Sequence, residues 1–63
     1  MYTIKTYGGE VLGHAQNARL AREYADMQCA ILHKQTYVYE EGKLIAIYHP
    51  SELYKKQTVE EVR

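Results

Sequence analysis

The chain has 63 residues, eight basic and eight acidic side chains, one cysteine, seven tyrosines and no tryptophan or phenylalanine. That length leaves room for one domain, and a lone Cys29 excludes an intrachain disulfide. Zero net charge excludes a general electrostatic pull towards nucleic acid or anionic lipid, so any such binding needs a local patch.

Tyr2 to Tyr7 (YTIKTY) alternates and is β-prone, and Gly8-Gly9 separates it from Glu10-Val11-Leu12-Gly13-His14. Two glycines between such runs fit a two-residue turn that needs positive φ. The expectation is a first hairpin with Thr6 opposite Val11 and Ile4 opposite Gly13. A helix starting at Glu10 is the rival reading, and Gly13 opposes it, because an interior glycine costs roughly 1 kcal/mol in a helix.

Asn17 is a good N-cap, and no Gly, Pro or turn cluster follows until Gln35-Thr36. A helix is expected from about 17 to about 33. The alternative is a stop near Gln28, with Cys29 to Leu32 extended. Leu20, Tyr24, Met27 and Ile31 recur at spacings of four, three and four, one helical stripe expected to pack on the sheet. Ala21 and Ala25 lie beside it and let the helix approach closely. Arg19 with Glu23 and Arg22 with Asp26 are spaced as i,i+4 ion pairs.

Thr36 to Pro50 (TYVYEEGKLIAIYHP) gives the strongest signal, a hairpin turning at Glu41-Gly42. That turn places Glu40 opposite Lys43, Val38 opposite Ile45 and Thr36 opposite Ile47. The other face then carries Tyr39 opposite Leu44, Tyr37 opposite Ala46, and Tyr48. After Pro50, Ser51 to Tyr54 is expected to open a short helix. Thr58-Val59-Glu60-Glu61 has capping-box spacing with little chain behind it, so a frayed helical tail is expected.

The fold class expected is α+β: a ββαββ domain over residues 1–50, a four-stranded, mainly antiparallel sheet with one helix on one face, and a tail at 51–63. The order strand–strand–helix–strand–strand resembles that of the small immunoglobulin-binding domains of proteins G and L. The likeness is one of element order and implies no function. The residues leave strand order open, including a pairing of the first strand with the last.

One helix covers one face of a sheet. The compact set Ile4, Val11, Val38, Ile45 and Ile47 is expected to meet Leu20, Tyr24, Met27 and Ile31. The leftover face is Lys5, Tyr7, Leu12, His14, Tyr37, Tyr39, Leu44, Ala46 and Tyr48. An uncovered sheet face is normally polar, and a contiguous apolar, aromatic patch marks an interface. Tyr7, Leu12, Tyr37, Tyr39, Leu44 and Tyr48 are therefore the candidate partner-binding residues. The occupant expected is a second copy of the chain. Self-association would also support a core that on its own contributes about 3–5 kcal/mol. The alternatives are a foreign protein, or the tail folding over this face through Leu53, Val59 and Val62.

Chemistry is sparse. Cys29 and His33 are i,i+4 on a helix and expected on the side away from the packing stripe. A zinc site wants three or four ligands, so His14, His49 or a second subunit would have to complete it. The same pair as nucleophile and base has no oxyanion hole or substrate pocket beside it. Glu40-Glu41 and Glu60-Glu61 read as solvated neighbours, and Gly8-Gly9 lacks the spacing of a phosphate-binding loop. No enzyme, metal or cofactor is expected.

Met1 to Tyr7 has no apolar stretch of the kind a signal peptide needs, no run approaches the ~20 residues that span a bilayer, and an unpaired cysteine suits a reducing compartment. The expectation is a cytoplasmic, non-membrane accessory or inhibitor protein of the kind phages and mobile elements encode. It would work by steric binding to another protein through the tyrosine face. The second reading is a single-stranded nucleic-acid binder that stacks bases on Tyr7, Tyr37, Tyr39 and Tyr48 beside Lys5 and Lys43.

Overall fold

Two glycine turns and one capped helix set the architecture. The computed structural model describes residues 1–51 and 57–62. Its elements are β1 (Tyr2–Thr6), β2 (Val11–Ala15), α1 (Ala18–Leu32), β3 (Thr36–Glu40), β4 (Lys43–His49) and β5 (Thr58–Glu61). The strands form one sheet in the order β2-β1-β3-β4-β5, with every neighbouring pair antiparallel. The class is α+β, one helix on an open antiparallel sheet.

Five strands replace the expected four. Thr58–Glu61 is extended and pairs with β4, from Ala46↔Glu61 to His49↔Thr58, instead of forming a helical turn. A one-turn helix has no propagation to offset its nucleation cost, whereas the free edge of β4 offers unpaired backbone groups. The tail thus widens the sheet at its edge, and Val59 and Val62 do not fold across the tyrosine face. The expected helix at Ser51 to Tyr54 falls largely on residues 52–56, outside the described residues. The two hairpins join through β1 and β3, with Ile4 opposite Val38, so the first strand does not pair with the last.

The second turn is as expected. Glu41 (φ 49) and Gly42 (φ 84) are both left-handed, as a type I′ turn requires, and Glu40 faces Lys43. The first turn is longer than expected. Gly9 N–H donates to Thr6 O at 2.9 Å and Thr6 N–H donates to Glu10 O at 2.8 Å, while Gly9 alone of the pair has positive φ, 89°. This is the geometry of a turn closed by a glycine bulge.

Each hairpin also carries a bulge within its ladder. In the first, Ile4 faces Gly13 but Lys5 faces Val11, leaving Leu12 as the extra residue. In the second, Tyr39 faces Leu44 but Val38 faces Ala46, leaving Ile45 extra. Because side chains alternate with period two, one extra residue inverts everything beyond it. Ala46 and Tyr48 therefore turn to the helix side, and Ile47, opposite Tyr37, turns away. Val11, expected in the core, lies opposite Lys5 and is half exposed.

The helix has the expected span. Asn17 Oδ1 accepts from Leu20 N at 2.9 Å, a cap worth about 1 kcal/mol. His33 ends the helix at φ 55 with its N–H bonded to Cys29 O. The side laid on the sheet is not the expected one. Ala21, Ala25 and Cys29, spaced by four, are fully buried with Ile4, Val38 and Ala46. Leu20, Met27 and Ile31 are 46%, 49% and 66% exposed. Small side chains bring the axis so near the sheet that Thr36 Oγ1 donates to Ala25 O at 2.8 Å. Tyr24 alone of the stripe packs on the core, its ring 3.0 Å from where a Cβ on Gly13 would stand and its hydroxyl donating to Leu12 O.

Candidate functional site

Strand parity assigns the sheet face away from α1 to Thr3 and Lys5 of β1, Val11 and His14 of β2, Tyr37 and Tyr39 of β3, and Leu44, Ile47 and His49 of β4. No element among the described residues packs on this face, since α1 lies against the opposite side and β5 extends the edge. Its middle is apolar. Tyr39 sits opposite Leu44, and Tyr37 opposite Ile47. Such cross-strand pairs contribute roughly 0.2–1 kcal/mol each, so the patch is partly self-supporting.

Tyr7, in the turn after β1, extends the patch beyond the strand end. It is 78% exposed, with its ring centroid 6.4 Å from that of Tyr37 and tilted by 52°. Lys5 Nζ lies 5.0 Å from the centroid of Tyr39, a cation–π contact. The rim is polar and already hydrogen-bonded. Thr3 Oγ1 and His14 Nδ1 are 3.2 Å apart. Tyr37 Oη donates to Gln35 Oε1 at 3.1 Å, Gln35 Nε2 lies 2.9 Å from His49 Nδ1, and His49 Nε2 lies 3.0 Å from Glu60 Oε1. With the Gln35 amide donating, the imidazole proton sits on Nε2 and is given to the Glu60 carboxylate. This chain fixes the Tyr37 hydroxyl.

Of the six residues expected to bind a partner, four stand together here: Tyr7, Tyr37, Tyr39 and Leu44. The other two do not. Tyr48 lies under the helix at 5% exposure, and burial pushes its hydroxyl pKa up. Leu12, the bulge residue of β2, packs against the core. Ile47 joins the face in their place, and Ala46 leaves it. The bulges are the cause, and no residue type in either strand announces them.

The other candidate groups are dispersed. Cys29 was expected on an outward side, but it is buried, its thiol donating to Tyr48 O at 3.6 Å and its pKa raised by desolvation. His33 is the exposed C-cap. Among the described residues no three His, Cys, Asp or Glu side chains converge as a metal site. Arg22 does not pair with Asp26. Its guanidinium makes a two-pronged bond to Glu61, at 2.7 and 2.8 Å, which ties β5 to α1 and holds the Glu61 carboxyl below its ordinary pKa. A cleft of about 660 Å³ lies between the C-terminal half of α1 and the first turn, lined by residues that include Leu12, Gln28, Leu32 and Lys34. Among the described residues that line it there is no nucleophile–base pair. No helix among the described residues is long and apolar enough to cross a membrane. No protein-family model, curated protein or solved structure matches the chain.

Proposed function

We propose that the protein is a small protein-binding module, of the accessory or inhibitor kind, that acts as a homodimer and presents the open sheet face to another protein. The observation that carries this reading is the patch of Tyr7, Tyr37, Tyr39, Leu44 and Ile47 on a sheet face that no described element covers. Tyrosines offer large, stiff contact area at low entropic cost, and they dominate binding energy where they cluster at the centre of an interface. Lys5, His14 and Glu60 supply the polar rim. The mechanism is steric occupation of the partner's surface.

The second reading, single-stranded nucleic acid, draws on the same rings. Lys5 counts for it as a cation, yet its ammonium already lies over the Tyr39 face on which a base would stack. Glu60 also places a carboxylate on this side of the sheet. Both features favour protein over nucleic acid. The test pairs Tyr37→Ser/Tyr39→Ser with the unchanged protein as immobilised baits for an extract of the source cell, with far-UV circular dichroism alongside. Proteins retained by the unchanged chain and lost by the double variant, at equal helix content, are the expected result. Equal retention by both would remove the open face as the binding surface. A gel shift with a fluorescent single-stranded oligonucleotide at low salt is expected to show no complex. A complex weakened by Lys5→Ala would favour the second reading. Lys43, expected beside the rings, instead faces Glu40 on the other side of the sheet.

A further inference from the structure

A chain of hydrogen bonds ends on the open face. It runs from Glu60 of β5 through His49 of β4 and Gln35, just before β3, to the hydroxyl of Tyr37. The two neighbours of His49 make different demands on its ring nitrogens. An ionised carboxylate only accepts, so Nε2, 3.0 Å from Glu60 Oε1, carries a proton. A neutral imidazole has one N–H, which leaves Nδ1 as an acceptor. The Gln35 amide therefore turns its Nε2 to the ring, at 2.9 Å, and its Oε1 to Tyr37, 3.1 Å away. An oxygen facing the hydroxyl makes Tyr37 the donor. The direction of every bond in the chain thus follows from the proton count on one imidazole.

We propose that His49 and Gln35 form a pH-sensitive relay that sets which hydrogen-bonding group Tyr37 offers to a partner. With His49 neutral, the hydroxyl proton is engaged by Gln35, and the oxygen lone pair is what remains for a donor on the partner. A proton taken from solvent puts a hydrogen on Nδ1 as well, and two donors then face each other across 2.9 Å. Turning the Gln35 amide over removes the conflict. Its Oε1 accepts from Nδ1–H, and its Nε2 donates to Tyr37 Oη. The hydroxyl proton is released, and Tyr37 offers a donor to a carbonyl or carboxylate. Imidazoles change charge between about pH 5 and 8, so the switch lies within the physiological range. The bond to Glu60 becomes charge-assisted and holds the ring in place through the change. Among the described residues, β5 sets Glu60 and the neutral Thr58 beside His49, and β3 brings Tyr37 to the far end of the relay. Lys5 of β1 is engaged over the Tyr39 ring, and Lys34 lines the cleft beside the first turn. Arg22 and Asp26 of α1 lie on the other face, around Tyr48. The relay is a property of the chain alone, and its consequence for binding rests on the proposed use of the open face.

Solution NMR of the protein without a partner tests the relay. Long-range proton–nitrogen correlation of the His49 ring at about pH 8 is expected to show the Nε2–H tautomer. On titration to about pH 5, the Gln35 side-chain amide and the Tyr37 ring are expected to shift with the same midpoint as His49 itself. Both readings use the unchanged chain and depend on no variant folding. Gln35→Leu then separates the relay from the bare field of the imidazolium. In that variant His49 is expected to titrate still, and the Tyr37 response is expected to be lost. An Nδ1–H tautomer in the neutral form would overturn the proposal. So would Gln35 and Tyr37 signals that stay flat through the His49 transition, or a Tyr37 response that survives Gln35→Leu. Because these signals are read in the absence of a partner, failure of the relay and failure of the binding reading show up in separate experiments.

Discussion

The two faces of the sheet are built from side chains of different size. The covered face meets α1 with Ile4, Thr36, Val38 and Ala46, and the helix answers with Ala21, Ala25 and Cys29. The open face carries Tyr37, Tyr39, Leu44 and Ile47, with Tyr7 at its end. A chain designed only to be stable would place its largest apolar groups between helix and sheet, where they remove the most surface from water. This one buries Ile4, Val38 and Tyr48 there but leaves Tyr37, Tyr39, Leu44 and Ile47 on the open side. The helix repeats the pattern, with alanines and a cysteine inward and Leu20, Met27 and Ile31 outward. Apolar surface beyond what the fold uses is thus concentrated on two separate sides of the molecule. On the open sheet face that concentration is the physical basis of the proposed function.

The sharpest way to break the comparison is to truncate one residue on each face. Ile4→Ala removes one of the largest fully buried side chains, and such a change costs about 2–5 kcal/mol. A core of this size has little more than that to lose, so the variant is expected to be largely unfolded by circular dichroism. Ile47→Ala on the open face is expected to cost less than about 1 kcal/mol, the scale of a cross-strand pair. Equal losses in urea unfolding would erase the distinction between the faces.

Overpacking tests the same contrast from the other side. Ala25 is fully buried and its carbonyl accepts from Thr36, so Ala25→Leu is expected to lift α1 off the sheet and to cost about 1–3 kcal/mol. Met27→Leu, at an exposed position two residues on, is expected to change stability by less than about 0.5 kcal/mol. Thermal midpoints of the two variants read the difference.

The smallest expected effect concerns the edge of the sheet and depends on pH. Arg22 holds Glu61 below its ordinary pKa of 4.5, so the folded form binds that proton less readily than the unfolded one. The contribution is fully present above 4.5 and is lost as pH falls through the depressed value. The protection of the amides at Val59 to Glu61, taken relative to their intrinsic exchange at each pH, is therefore expected to fall in acid before that of Ile4 or Val38 does. Arg22→Gln should remove that pH dependence.

Much of this was legible in the residues. Asn17, the gap free of breakers after it and the Glu41-Gly42 pair gave the helix and the second hairpin their bounds. Tyr39 opposite Leu44 follows from turn chemistry. Ile4 does face Gly13, but by way of a longer turn whose extra residue the bulge at Leu12 offsets, and Thr6 faces Glu10 rather than the expected Val11. The faces of Val11, Leu12 and the β4 residues after Leu44 were not legible, because a bulge is a matter of one residue in the ladder and neither Leu12 nor Ile45 differs in type from an ordinary strand residue. The helix was misread for a different reason. A stripe of large residues looks more like a core than one of alanines, although Ala21, Ala25 and Cys29 share the same regular spacing. β5 was missed because Thr58 to Glu61 is short and acidic, and its partner strand is what makes it extended. Tyr37 and Tyr39 were placed correctly because β3 carries no extra residue, and Leu44 because it precedes Ile45, whereas Tyr48 lies beyond it.

Tyrosine nitration of the native protein by tetranitromethane, read by peptide mass spectrometry, tests the division of the faces most directly. Tyr7, Tyr37 and Tyr39 are expected to be modified under native conditions, and Tyr48 to react only after unfolding. Native labelling of Tyr48 as fast as that of Tyr37 would place it on the open face and contradict the account.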